Sequence, residues 1–217
     1  EASCSALHIN KRFVSTEGAD IRQHTIETGA GIEATAKSGD EIQKRTYPNS
    51  FRGDWQTRGW ESVDEMKLVE NADRVRDEAI LLLTAEVCPT GKRDIIISGA
   101  QLALQVHESN GHPTELDRVL GTEISLAGGS FMQPHLVGNL KYGSDIVNIY
   151  ADSISPGGLG TFGYDDEGVK STRTDIIKNG IFVGYLSSRE CQALTGHRAN
   201  GAMRADLCDL RFRAAGT

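Results

Sequence analysis

One short segment limits how this chain can fold, because it places a proline inside a sequence that otherwise favours a helix. It reads His107-Glu108-Ser109-Asn110-Gly111-His112-Pro113. Pro113 has no N–H to donate, and its ring crowds the carbonyl of Ser109, so the regular α-helical hydrogen bonding is interrupted there. Gly111 tolerates unusual backbone dihedrals. The segment therefore predicts a kink or a π-bulge within a helix.

The predicted irregularity matters because of the two histidines in the segment. His112 follows His107 by five residues, and five residues turn a regular helix by about 500°, which leaves the side chains about 140° apart around the axis. In the familiar His-Glu-x-x-His pattern the histidines lie four residues apart and reach one ion. A residue inserted into the turn would bring His107 and His112 back onto a common face, so the predicted bulge favours a shared metal ion.

The same segment supplies the groups of a hydrolytic metal site. Such a site needs protein ligands, an open position for water and a general base beside it. His107 and His112 are the candidate ligands, Zn²⁺ is the expected metal, and Glu108 is the candidate base. Six histidines in 217 residues make this pattern easy to obtain by chance. A solvated helical glutamate between unrelated histidines is therefore the alternative for the motif alone.

The composition excludes several classes of protein. The formal net charge is −7, and direct nucleic-acid binding is not expected, because phosphate contacts need a basic surface. No apolar run approaches the roughly 20 residues that span a bilayer, and no signal peptide is recognisable. Without a C-x-x-C pair, the cysteines are expected to be free thiols, mostly buried, in a reducing cytoplasm. They are Cys4, Cys88, Cys191 and Cys208.

The remaining histidines are weaker candidates. His135 stands in a Gly/Pro-rich loop and is expected at the surface. His8, His24 and His197 have no partner at the spacing of metal ligands.

The N-terminal part of the chain predicts an antiparallel meander followed by a helix. Gly and Asp turns at 17–20 and 38–40 separate short alternating segments at 12–15, 21–26, 29–37 and 46–47. Ser62 and Glu65 have the spacing of a capping box, and apolar residues at helical spacing follow until Pro89. This predicts one long helix that begins at Ser62.

The second part predicts strands around the motif helix. Residues 94–97 form a short apolar run typical of a buried strand, and Ser98 with Gln101 predicts the start of the motif helix. Residues 145–152 predict a strand, and Asn179-Gly180 predicts a hairpin between strands at 170–177 and 181–186. Ser187 and Glu190 predict a short helix ending at Gly196. The fold class is α+β: a meander and a helix, then a long kinked motif helix packed on a mostly antiparallel sheet.

The motif region closely resembles the signature of the TldD/PmbA family, also called modulators of DNA gyrase. The resemblance continues from the motif through Thr114-Glu115-Leu116-Asp117-Arg118-Val119-Leu120-Gly121. Further segments are similar to the family in the same order, at 13–18, 160–168, 184–190 and 200–206. Several ordered motifs are far more specific than a single pattern.

The resemblance implies a zinc metallopeptidase that acts on unfolded or extended peptides in the cytoplasm. By position it implies that His107 and His112 bind the metal and that Glu108 is the catalytic base. In this family, a TldD-type subunit carries the motif and pairs with a PmbA-type (TldE) subunit that lacks it. A partner of that type or a homodimer is expected, without nucleic acid or membrane. Residues 1–90 are expected to be the C-terminal part of an N-terminal α/β domain, and 91–217 a metallopeptidase domain truncated before its end.

One departure from the family leaves the function open. The resemblance implies a third ligand, a cysteine in a glycine-rich segment near the C-terminus, and the chain is expected to be a fragment that stops before it. Cys208 is either a substitute ligand or a plain thiol. The chain is then either a metallopeptidase or a catalytically incomplete peptide-binding or regulatory subunit. A gyrase-binding role rests only on the older family name.

Two acidic residues beyond the motif have two interpretations each. Glu115 and Asp117 could orient the histidine ligands from outside the ligand set. They could equally form an ion pair with Arg118 at the end of the helix.

Overall fold

The computed structural model of this chain describes residues 1–50, 53–122 and 124–204. The chain divides into two compact units. The first comprises Glu1–Ile9, His24–Ala103 and Gly157–Leu159; the second comprises Asn10–Gln23, Leu104–Pro156 and the described residues from Gly160 onward. Helices and antiparallel strands occur together, which confirms the predicted α+β class.

A sheet built on one long strand dominates the first unit. Its strands are β1 (Ala2–Val14), β2 (Asp20–Ser38), β3 (Glu41–Tyr47) and β4 (Asp54–Gln56). β2 pairs with all three others, and its pairing with β3 and β4 is antiparallel. The turns fall where they were predicted, with Gly18 at φ 93° and Gly39 at φ 59°. The meander is confirmed, but β1 is longer than predicted. Its first residues are exposed and show no apolar alternation, so the sequence pattern did not include them.

The long helix predicted from Ser62 is interrupted. Two helices stand in its place, α1 (Glu61–Glu65) and α2 (Leu68–Leu82). Between them Lys67 adopts a left-handed conformation with φ 51°, which an α-helix does not accommodate. Ser62 is buried, and its hydroxyl lies 2.7 Å from Thr28 Oγ1 and 2.9 Å from the carbonyl of Gly59. The predicted capping box is therefore wrong, because Ser62 lies inside α1 and its hydroxyl contacts Thr28 and the carbonyl of Gly59 instead.

The strand predicted at 94–97 is also wrong. These residues belong to no strand, and Ile95 and Ile96 are 78% and 102% exposed. An apolar run becomes a buried strand only when another strand accepts its hydrogen bonds, and no described residue does so here. The next helix, α3 (Gly99–Val106), begins at its predicted position. The N–H of Leu102 donates to the carbonyl of Ser98 at 2.8 Å.

The second unit contains a small antiparallel sheet. Its strands are β5 (Ile149–Asp152), β6 (Arg173–Lys178) and β7 (Ile181–Phe182), in that order. Asn179 and Gly180 join β6 to β7 with φ of 49° and 75°, which confirms the predicted hairpin between strands shorter than expected. The short helix also forms (Arg189–Thr195), but Ser188 rather than Ser187 caps it by accepting the N–H of Cys191. Gly196 ends it as predicted.

A compact apolar cluster supports this sheet. It consists of Leu116, Met132, Ile176, Ile177, Phe182, Tyr185 and Cys191. Phe182 and Tyr185 pack edge to face with ring centroids 5.0 Å apart. Leu116 follows the motif directly and is completely buried, so the cluster anchors the end of the motif on the sheet. Among the described residues, no helix is both long and apolar enough to cross a membrane.

Candidate metal centre

The backbone of the motif changes helical type twice. After α3 ends at Val106, residues His107–Gly111 form a π-helical turn, and His112–Thr114 form a 3₁₀ turn. The N–H of His112 donates to the carbonyl of His107, the bond that defines a π-turn. Pro113 follows within the 3₁₀ turn. The π-bulge predicted from Gly111 and Pro113 is confirmed.

The π-turn places both histidines on a common face. Their ring centroids lie 4.3 Å apart at an interplanar angle of 70°. Nε2 of His107 lies 3.9 Å from Glu108 Oε1, and Nε2 of His112 lies 3.9 Å from Glu108 Oε2. One ligand atom from each residue falls within 4.8 Å of the other two, the one such group of three in the described part of the chain.

The three side chains are accessible and chemically suited to a metal. The side chains of His107, Glu108 and His112 are 58%, 61% and 34% exposed, so an ion can reach them from solvent. Two imidazole nitrogens and a carboxylate oxygen match the donor preference of Zn²⁺ and similar divalent cations. The residues predicted from the sequence therefore lie together in an arrangement that fits such an ion.

His112 also contacts a largely buried ion pair through its other ring nitrogen. Its Nδ1 lies 3.4 Å from Glu115 Oε1 and 3.2 Å from Arg118 Nη2. Arg118 in turn binds Glu115 at 2.8 Å, and their side chains are only 10% and 19% exposed. Glu115 thus contacts both the histidine and the arginine, as its two interpretations require. Asp117 is buried, and its Oδ1 accepts a hydrogen bond from the backbone N–H of Arg118 at 2.9 Å.

Buried polar groups stabilise the irregular turn, and sequence reasoning missed them. The buried hydroxyl of Thr114 lies 2.8 Å from the carbonyl oxygen of Asn110 and 3.0 Å from that of Gly111, so its single hydrogen can be donated to either. These carbonyls lie where the helix type changes, so a side-chain donor replaces irregular backbone bonding. The sequence signal for this role is that Thr114 follows Asn110 by four residues. Asn110 is itself buried in the structure.

Pro113 has no N–H to donate to the carbonyl of Ser109. A tyrosine distant in sequence donates to this carbonyl instead. The hydroxyl of Tyr142 donates to the carbonyl of Ser109 at 3.3 Å. The pair is separated by 33 residues, so no local pattern could have identified it.

Backbone hydrogen bonds to Leu186 hold the C-terminal end of the motif in place. The N–H of Leu116 donates to the carbonyl of Leu186 at 3.0 Å, and the N–H of Leu186 donates to the carbonyl of Thr114 at 2.9 Å. Glu115 and Leu186 are thus paired in parallel. This attachment holds Glu115 next to His112.

Glu115 also lines a cleft of about 300 Å³ in the second unit. Glu115, Phe162, Ser187, Cys191 and Met203 are among the residues that line it. Glu115 also contacts His112, so this one residue connects the lining of the cleft to the histidine–carboxylate group.

The cysteines differ from the expectation that most are buried. Cys191 is buried, but Cys4 and Cys88 are exposed, and all three are free thiols. Burial raises the pKa of the Cys191 thiol, which favours the neutral form over the thiolate that binds metals. Cys208, the possible substitute ligand, lies outside the described residues. His135 is exposed, as predicted.

Known proteins resemble this chain in sequence. Residues 90–212 match the family described as PmbA/TldA metallopeptidase C-terminal domain. Metalloprotease MJ0996 of Methanocaldococcus jannaschii is 33% identical over 89% of this chain and 40% of its own length. The metalloprotease TldD homolog of Haemophilus influenzae is 27% identical over 94% of this chain and 41% of its own length. The chain thus spans about 40% of the curated relatives that it matches.

Solved structures share the fold. A protein described as a modulator of a DNA gyrase from Thermotoga maritima matches with a TM-score of 0.69 and 19% identity, over 92% of this chain and 42% of its own. TldE from Thermococcus kodakarensis matches with a TM-score of 0.60 and 18% identity, over 96% and 42%. At these identities the likeness supports the fold alone.

Proposed function

Since this chain belongs to the PmbA/TldD metallopeptidase family, we propose that it carries the central part of a zinc-dependent peptidase site for unfolded or extended peptides. His107 and His112 are the proposed ligands, and Glu108 is the proposed base. The supporting observation is the π-turn, which gathers their ligand atoms within 4.8 Å of one another. Residues 91–217 are the proposed metallopeptidase domain, and the family match that starts at residue 90 supports this division.

We propose that Glu108 moves the proton during hydrolysis. When bound, the metal supplies a Lewis acid that polarises the scissile carbonyl and acidifies water. The exposed carboxylate of Glu108 accepts a proton from the attacking water as the new C–O bond forms. It then donates that proton to the amine nitrogen as the C–N bond breaks. The water is consumed, and Glu108 returns to its starting charge.

The ion pair behind His112 controls which ring nitrogen is available to a metal. Arg118 can only donate, so a bond from Arg118 to Nδ1 of His112 requires the proton to be on Nε2, where it would block a metal. A bond from Nδ1–H to Glu115 leaves Nε2 with its lone pair. Metal binding therefore selects the arrangement in which Glu115 accepts from His112, as carboxylates commonly do behind metal-bound histidines.

The small number of ligands supports a second candidate function. Catalytic zinc sites usually have three protein ligands, whereas the group in the described residues has two histidines and the proposed base. A catalytically incomplete peptide-binding or regulatory subunit of a heteromeric protease is therefore the alternative. For either function we propose a PmbA/TldE-type partner or a second copy of this chain, acting in the cytoplasm. The free thiols support a reducing compartment.

Cleavage of an unfolded protein tests the proposal. With Zn²⁺ and fluorescein-labelled, unfolded casein, Glu108→Gln should lower the rate at least about 100-fold while Zn²⁺ binding and the melting temperature stay unchanged. Glu70→Gln, at an exposed helical glutamate of α2, is the matched control. Undiminished cleavage by Glu108→Gln would remove Glu108 as the base. Casein binding without cleavage by the unmodified chain would favour the regulatory alternative.

A further inference from the structure

A second pair of histidines lies on the exposed face of the β1–β2 pair. His8 on β1 and His24 on β2 are 16 residues apart, and both are exposed. Their Nε2 atoms face one another in direct contact, and the ring centroids lie 4.5 Å apart at 85°. The sequence separation of His8 and His24 is not one typical of metal ligands, so this contact was not predicted. Strand pairing brings together residues that no helical spacing relates.

A hydrogen bond or a shared cation can join the facing Nε2 atoms without lone-pair repulsion. In a hydrogen bond, Nε2–H of one ring donates to the Nε2 lone pair of the other. Alternatively, both rings present Nε2 lone pairs to a cation, which a first-row transition metal binds at about 2.0–2.1 Å from each nitrogen. Paired strands hold the backbones of both residues in place, so only the two side chains must be ordered when an ion binds.

We propose that His8 and His24 form a binding site for a divalent transition-metal cation, independent of the peptidase motif. Imidazole pairs suit Zn²⁺, Cu²⁺ and Ni²⁺, whereas Mg²⁺ and Ca²⁺ prefer oxygen ligands. In the described chain, no further His, Cys or carboxylate joins the pair at ligand distance. Water completes the coordination, so the bound ion exchanges readily and keeps open positions.

Zinc titration in a variant without the motif histidines isolates this site. In a His107→Ala/His112→Ala background, calorimetry with ZnCl₂ at pH 7.5 should show one equivalent of Zn²⁺ bound. Adding His8→Gln or His24→Gln should weaken binding at least about tenfold, which corresponds to about 1.4 kcal/mol. His135→Gln, which removes an exposed histidine from the turn Pro134–Leu136, should leave binding unchanged.

A second measurement separates metal binding from an imidazole hydrogen bond. Cu²⁺ added to the background variant should give an electron paramagnetic resonance spectrum with coupling to two nitrogens, and His24→Gln should remove it. Melting curves without metal verify that each variant folds. The proposal is overturned if the background variant binds no Zn²⁺, or if His8→Gln and His135→Gln bind it equally. The pair is then a hydrogen bond only.

Discussion

The N–H of His112 donates to the carbonyl of His107 and closes a π-helical turn. Because this turn holds an extra residue, two histidines that a regular helix would separate face one carboxylate, with both Nε2 atoms 3.9 Å from it. The candidate site therefore depends on a backbone irregularity, and the residues that maintain it are as testable as the ligands.

Thr114→Val should destabilise the chain and weaken Zn²⁺ binding. The substitution keeps the shape of the side chain but leaves the carbonyls of Asn110 and Gly111 without their buried donor. We expect the free energy of unfolding to fall by about 1–3 kcal/mol, measured by urea denaturation. Thr84→Val, at an exposed threonine, is the control and should have little effect. Equal stability of the two variants would show that Thr114 does not support the turn.

Glu115→Gln should weaken Zn²⁺ binding about tenfold with a smaller effect on folding. The amide is a poorer acceptor for Nδ1–H of His112, and it weakens the ion pair with Arg118. Calorimetry with ZnCl₂ measures the affinity, and a melting curve measures the stability. Glu190→Gln, at an exposed glutamate of the helix Arg189–Thr195, is the control. Unchanged affinity in Glu115→Gln would refute the orienting role.

Cys191 should react with iodoacetamide far more slowly than Cys4 and Cys88. It is buried, and desolvation raises the pKa of its thiol, so both access and thiolate population are low. Peptide mapping by mass spectrometry after labelling at pH 8 measures the three rates. In urea the rates should become similar, which controls for sequence effects. Equal rates in the folded chain would contradict the packing around Cys191.

Tyr185 should make the folded chain lose stability in alkaline solution. Burial raises the pKa of Tyr185 to about 12, above the value near 10 expected in the unfolded chain. The stabilisation is therefore fully present below about pH 10 and is lost as the pH rises towards 12. Tyr185→Phe should lose less stability than the unmodified chain between pH 9 and pH 11, measured by urea denaturation.

The control for this pH dependence is Tyr150→Phe, which removes an exposed phenol. It should follow the unmodified chain at both pH values. At pH 9, Tyr185→Phe should be less stable than the unmodified chain, because it lacks the hydroxyl that donates to the carbonyl of Met132. An unaltered pH dependence in Tyr185→Phe would exclude this tyrosine as the cause.

Features governed by local chemistry could be predicted from the sequence. Gly111 and Pro113 predict the π-turn because one relaxes and the other obstructs helical geometry. Asn179-Gly180 predicts its hairpin because both residues accept positive φ, as observed. The ligand candidates followed once the turn was recognised.

Features governed by distant partners could not be predicted. Ile95 and Ile96 resemble a buried strand in sequence, but pairing depends on a neighbour elsewhere in the chain. Ser62 resembles a helix cap, but its hydroxyl contacts Thr28 across the unit. Likewise, neither the bond from Tyr142 to Ser109 nor the contact of His8 with His24 follows from any local spacing.

The π-turn accommodates one residue more than a regular α-helical turn. Ser109 is exposed, so exchanging it for another residue alters one surface side chain. Deleting it would instead restore a regular α-helical turn with His107 and His112 four residues apart, the spacing of the familiar His-Glu-x-x-His pattern. The two patterns therefore differ by a single inserted residue, and over evolution the presence of a residue at position 109 should matter more than its side chain.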